Sequence, residues 1–173
     1  MKPSIIIIGA GGHGKVVYDA IIAQNKFEVI GFVDSQLKIG TKVIGQVEVI
    51  CAQENVASLV KKAEYFIVAI GNNIIRAQVY DNLVSLFKPA TIIHPLSVIG
   101  SEVIIEDGTV VLAYAMINVL SKVGANTIIN IGVIIDHECE IGNNVYLKLG
   151  AIIANNSKVL DFHTSEIGQI IKS

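Results

Sequence analysis

Set out in sixes, residues 97–162 read SVIGSE VIIEDG TVVLAY AMINVL SKVGAN TIINIG VIIDHE CEIGNN VYLKLG AIIANN SKVLDF. The third place of every six is aliphatic, from Ile99 to Val159, and Ile93 extends the series backwards. The first place is always small or β-branched: Ser97, Val103, Thr109, Ala115, Ser121, Thr127, Val133, Cys139, Val145, Ala151 and Ser157. An unbroken internal repeat of six is the mark of a parallel β-helix. First and third places lie two apart, so both point inward from one short strand. The fifth and sixth places then turn a corner, and pairs such as Asp107-Gly108, Ala125-Asn126 and Asn143-Asn144 suit turns. With three flat sides a coil takes 18 residues. Residues one coil apart then stack at about 5 Å, the strand spacing of a sheet.

On this reading the charged run VIIDHECEIG (133–142) leaves the core intact. Ile135 and Cys139 point inward, Asp136 points outward, and His137-Glu138 form a corner, with Val119 one coil below His137 and Asn155 one coil above. A bare solvated corner is the plain alternative for His137. Another corner column holds Pro95-Leu96, Ala113-Tyr114, Ile131-Gly132 and Leu149-Gly150. An apolar ridge of that kind marks a subunit contact. After Val159 the register lapses, with His163 at the next small place and Ser165 at the next aliphatic one. The expectation is a β-helix of about four coils over 91–162 and an irregular tail over 163–173.

Residues 1–90 follow a different rhythm. SIIIIGA is a buried strand, and GKVVYDAIIAQN has helical spacing, with Val16, Val17, Ala20, Ile21 and Ala23 able to share a face. FEVIGFVD is a second strand, followed by a strand pair near KVIGQVEVI and a helix near 53–62. The strand YFIVAIG and the helix NIIRAQVYDNLVSL complete a βαβ pattern, which implies a small, mostly parallel Rossmann-like sheet.

GAGGHG (Gly9 to Gly14) matches G-x-G-x-x-G after a strand and before a helix, with Asp34 ending the next strand. Gly9 allows a tight turn, Gly11 allows close backbone approach, and the helix start offers N–H groups to phosphate. A tight strand–helix turn without a ligand is the bland reading. A nicotinamide dehydrogenase is disfavoured, since about 90 residues supply only one mononucleotide-binding half. A nucleotide with something attached fits better, with Asp34 available to a ribose or sugar hydroxyl. Gly71-Asn72-Asn73 would lie at the same sheet edge.

Composition narrows the classes further. Apolar residues make up 52% of the 173 residues and charged ones 16%, with a net charge of −2. Nothing here favours nucleic acid as partner. Apolar runs are interrupted well short of the ~18 residues that span a bilayer, so no membrane insertion is expected. The start MKPSIIIIGAGG reads as folded chain, not a signal peptide. Cys51 and Cys139 lack metal-like spacing, so a cytoplasmic chain with two reduced thiols and no metal is expected.

IIGAGGHGKVV, GFVD, AIGNN, IIHPLSVIG, AMIN and IINIGVIIDHECEIGNN, in this order over residues 4–160, resemble the bacterial sugar O/N-acyltransferases. That family includes sialic acid O-acetyltransferases and UDP-4-amino-sugar N-acetyltransferases. The resemblance implies an N-terminal domain for a nucleotide-sugar acceptor and a left-handed β-helix that forms a homotrimer and binds acetyl-CoA between subunits. It implies that His137 is the general base and Glu138 its orienting partner, and that Asn130 helps place substrate. Gly9, Gly11, Gly12, His13, Lys15, Asp34, Gly71 and Asn72 become acceptor contacts. His94 and His163 are left with incidental roles. The family usually adds about two more coils and a G-x-P-A-K segment, and Ile131 stands where it often has a small hydroxylic residue. The leading expectation is acetyl transfer from acetyl-CoA to an amine or hydroxyl of a nucleotide-linked sugar in surface glycan synthesis. The alternative is a non-catalytic trimeric sugar-nucleotide-binding protein, or a relic lacking the CoA site. The acceptor sugar, and O- against N-acylation, are not readable from the chain.

Overall fold

β1 (Ser4–Ile8) carries four consecutive isoleucines, Ile5 to Ile8, all fully buried. An unbroken apolar run of this kind is what a strand covered on both faces of a parallel sheet requires. The computed structural model describes residues 1–172 and forms two units, Met1–Ala90 and the chain from Thr91 onward. In the first unit β1 is followed by α1 (Gly12–Gln24), β2 (Glu28–Val33), β3 (Lys42–Ile44) and β4 (Val47–Cys51). A short 3₁₀ helix (Gln53–Leu59), β5 (Tyr65–Val68), α2 (Asn73–Leu83) and β6 (Lys88–Pro89) complete it. The sheet order is β3-β4-β2-β1-β5-β6, parallel except for the β3–β4 pair. β1 runs between β2 and β5, so the strand order reverses there and a crevice opens beyond the carboxyl ends of β1 and β5.

Two expectations for this unit need correction. The helix near 53–62 is a 3₁₀ helix ending at Leu59. On α1 only Gly14, Val17, Ala20 and Ile21 bury, while Val16 and Ala23 are exposed. The stripe that meets the sheet is narrower than helical spacing alone allows.

The second unit is a three-sided parallel β-helix with an offset of 18 residues at every pairing, as in Val110↔Ile128 and Ile128↔Tyr146. The first face stacks Ile92–Ile93, Val110–Val111, Ile128–Ile129 and Tyr146–Leu147. The second stacks Val98–Ile99, Met116–Ile117, Ile134–Ile135, Ile152–Ile153 and Ile170–Ile171. The third stacks Ile104–Ile105, Lys122–Val123, Glu140–Ile141 and Lys158–Val159. Inward residues such as Ala115, Ile117, Val133, Ile135, Cys139 and Ile141 form one continuous core. Every sixth residue from Glu102 to Gly168 turns its corner with positive φ.

The segment expected to be an irregular tail, 163–173, instead continues the coil over 163–172; Ser173 lies outside the described residues. Tyr146 bridges Thr164, and Ile170–Ile171 pairs with Ile152–Ile153. The lapse in register is bridged by hydrogen bonding. Ser165, fully buried at an aliphatic place, accepts the Lys148 N–H on Oγ at 2.8 Å, and Ile171 then resumes the inward series.

Candidate active site

The His137 corner is built from the coil beneath it. Ser121 Oγ, buried, donates to the Asp136 carbonyl at 2.7 Å and accepts the Cys139 N–H at 3.0 Å. Both ends of the turn thus hang on one hydroxyl. Asp136 Oδ1 accepts the His137 N–H at 2.8 Å and Asn118 Nδ2 at 3.2 Å, so Asp136 shapes the turn rather than the ring. Glu138 stands at φ 58°, its N–H bonded to the Val119 carbonyl at 3.0 Å. In that conformation Glu138 Oε2 lies 2.9 Å from His137 Nδ1. A carboxylate only accepts, so Nδ1 carries the proton and Nε2 presents its lone pair. The two side chains are 41% and 51% exposed, open to a substrate. Cys139, next in sequence, points into the core. Burial pushes its thiol up, and Sγ donates to the Ala154 carbonyl at 3.1 Å, which makes it a packing residue.

The third face, which follows this corner in the chain, forms an open groove of about 710 Å³ lined by Lys122, Glu140, Lys158, Gly124, Gly142 and their neighbours; His137 and Glu138 do not line it. Lys158 Nζ lies 3.1 Å from Glu140. Lys158, then Lys122, hold the Glu140 carboxyl below its usual range.

In the first unit a cavity of about 440 Å³ sits at the switch point, lined by Gly9, Gly11, Gly12, His13, Asp34, Gly71 and adjoining residues. Gly9 has φ 102°, and a Cβ there would meet the Ala69 carbonyl oxygen at 2.9 Å. A Cβ on Gly14 would meet the Gly9 carbonyl oxygen at 2.1 Å, so these two glycines let strand, loop and helix close on one another. At Gly11 and Gly12 an added Cβ would meet nothing within 4 Å, which leaves the loop open on its outer side. Gly11 is the N-cap of α1 and brings no side-chain cap to the first turn, and a helix N-terminus favours an anion. His13 is pushed down to about 4 by burial and by the charge of Arg76, and is neutral at physiological pH.

Several expected site residues are engaged in structure. Burial alone would raise the Asp34 carboxyl, but the N–H groups of Ala10 (2.9 Å), Gln36 (2.8 Å) and Leu37 (3.1 Å) outweigh it and hold it below the usual range. Asp34 lines the cavity chiefly as the clasp of its loops. Asn72 spends its side chain capping α2, where Oδ1 accepts the Ile75 N–H at 3.0 Å. Lys15 is exposed on the first turn of α1 and does not line the cavity. Asn130 is buried, accepts the Ile131 N–H at 2.8 Å and donates to Tyr146 Oη at 3.1 Å, one side of the β-helix before His137. Sequence reading passed over Asn118, Ser121 and Arg76. The first two were signalled by their 18-residue offsets from Asp136 and Cys139.

Residues 4–83 match the family model described as the PglD N-terminal domain. Over 152 residues the chain is 34% identical to GDP-perosamine N-acetyltransferase of Escherichia coli O157:H7, covering 84% of this chain and 67% of that protein. It is 30% identical over 116 residues to UDP-N-acetylbacillosamine N-acetyltransferase of Bacillus subtilis (strain 168), covering 64% of this chain and only 51% of the relative. Among solved structures, PerB from Caulobacter crescentus, in complex with CoA and GDP-perosamine, superposes with a TM-score of 0.85 at 26% identity. That alignment covers 97% of this chain and 88% of PerB. A Rossmann-like unit followed by a left-handed parallel β-helix is therefore the fold. The chain belongs to the hexapeptide-repeat family of sugar N-acyltransferases.

Proposed function

We propose that this protein transfers the acetyl group of acetyl-CoA to the amine of a nucleotide-linked amino sugar in glycan biosynthesis. The observation that carries the reading is the His137–Glu138 pair, which fixes Nδ1 as donor and leaves Nε2 as base at an exposed corner. His137 Nε2 takes a proton from the sugar amine as its nitrogen attacks the thioester carbonyl. The C–S bond then breaks, and the departing thiolate takes the proton back from His137. Glu138 keeps the ring oriented through its contact with Nδ1. The relatives named for GDP- and UDP-linked sugars favour an amine over a hydroxyl as acceptor.

The cavity at the switch point, with its glycine loop, is the candidate acceptor-nucleotide site. The groove on the third face is the candidate donor site, where Lys122 and Lys158 offer charge to the phosphates of CoA. Assembly into a homotrimer is supported by an apolar surface on one side of the β-helix. Val98, Met116, Ile134, Ile152 and Ile170 point outward from the second face, each at least 37% exposed. Leu96, Tyr114, Ile131, Leu149 and Ile167 stack along its adjoining corner, each at least 38% exposed. A contiguous apolar strip of this length belongs against another subunit. Among the described residues no helix is long and apolar enough to cross a membrane. The cytoplasm, where both substrates would be found, is the proposed compartment.

The direct test is His137→Ala. Loss of a general base is expected to lower turnover by about 10²–10⁴-fold while leaving the assembly unchanged by light scattering. Wild-type turnover in the variant would remove His137 from the chemistry.

A further inference from the structure

Arg76 heads the fully buried side chains by volume, with 0% exposure. Its guanidinium donates from Nη1 to the Ile70 and Gly71 carbonyls, at 3.0 and 3.3 Å, and from Nη2 to Asn73 Oδ1 at 2.7 Å. Burying a cation is costly, and an aliphatic chain of similar volume would pack α2 with less penalty, so the position asks for a use. The geometry of the turn supplies one. Peptide groups are planar, and no cis bond occurs here, so each carbonyl aimed at Arg76 sends the next residue's N–H the opposite way. Those groups are the N–H of Gly71 and the N–H of Asn72. Neither has a hydrogen-bond partner among the described residues. Ile70 and Gly71 line the same cavity as the glycine loop. His13, neutral on the first turn of α1, adds no charge there at neutral pH.

We propose that Arg76 is a positioning residue for the acceptor's diphosphate. It pins the Ile70–Asn73 turn so that the Gly71 and Asn72 N–H groups, polarised by the buried cation behind them, hold phosphoryl oxygens opposite the glycine loop. Carbonyl dipoles that would repel a phosphate are turned inward onto the guanidinium, and the N–H ends of the same peptides are turned out. This inference rests on reading the cavity as the nucleotide-sugar site.

The test is calorimetric titration of the full chain with UDP and GDP, and with uridine and guanosine, for wild type, R76M and R76K. In folded R76M the diphosphate Kd is expected to rise about tenfold or more, while nucleoside affinity stays within about twofold. R76K keeps the charge and should retain most of the diphosphate affinity. In turnover, the acceptor KM should rise in R76M with kcat and the acetyl-CoA KM unchanged. Should R76M not fold, R76Q, whose amide can still donate to one of the carbonyls, carries the same test. Unchanged diphosphate affinity, or an equal loss for nucleosides and diphosphates, would overturn the role assigned to Arg76. A wild-type protein that binds neither diphosphate would instead overturn the reading of the cavity, and this inference with it.

Discussion

Glu138 holds its carboxylate against His137 from a backbone conformation that L-residues avoid, at φ 58°. Corners at Gly108, Gly132, Gly150 and Gly168 use the residue best suited to positive φ, and Asn126, Asn144 and Asn156 use the next best. Retaining Glu at 138 costs the coil about 1 kcal/mol against glycine. Glu138→Gly is therefore expected to stabilise the β-helix by about 1 kcal/mol in denaturant titration while lowering turnover about tenfold or more. A variant that is less stable, or as active as wild type, contradicts this assignment. The His-Glu pair was legible in sequence as a corner, but the φ that aims the carboxylate was not. The support from Asn118 and Ser121 was also missed, because it depends on stacking across 18 residues rather than on neighbours in the chain.

At the scale of elements, the period of six was readable because it is imposed by geometry. Each coil repeats the same inward places, so side chains report the faces directly. The reading failed at Ser165, where a hydrogen bond to the Lys148 N–H replaces apolar packing, although Ile171 already stood in phase. In the first unit the glycine loop was legible from spacing. That Asp34 is occupied by three backbone N–H groups was not, since loop closure leaves no periodic trace.

The first turn of α1 also carries a pH dependence. The unfolded chain protonates His13 near its ordinary 6.5, the folded chain only near 4. Above 6.5 the residue is neutral in both states and its contribution is complete. As pH falls from 6.5 to 4 the unfolded state binds the extra proton, and stability declines by up to ~3 kcal/mol. Asp34, whose folded pKa is depressed, adds a further loss at lower pH as it is protonated. Hydrogen exchange of Ile5–Ile8 amides at pH 7.5 and pH 5 should show the loss, and His13→Gln should flatten it. Equal protection at both pH values would contradict the burial of a neutral His13.

At the scale of the whole molecule, the faces of the β-helix differ in kind. The third carries the charged ladder Lys122, Glu140 and Lys158, and the second carries the apolar row centred on Ile134. Ile134→Glu places a charge in the middle of that row and is expected to yield folded monomers by sedimentation. An assembly that survives the substitution, or a wild-type protein that is monomeric, would refute the second face as the contact. The corner ridge was visible in the sequence as a column of apolar pairs. The adjoining face was not, because outward apolar residues within a strand look like core until the inward set has been assigned.

The central claim is acetyl transfer to a nucleotide-linked amino sugar with His137 as base. It is tested most directly by incubating the protein with acetyl-CoA and GDP- and UDP-linked amino sugars, following free thiol and the mass of the sugar nucleotide together. One thiol released for each N-acetylated sugar nucleotide formed is the expected result, with both products slowed by about 10²–10⁴-fold in His137→Ala. Thiol release without sugar acetylation, or acetylation at the wild-type rate in the variant, would contradict it.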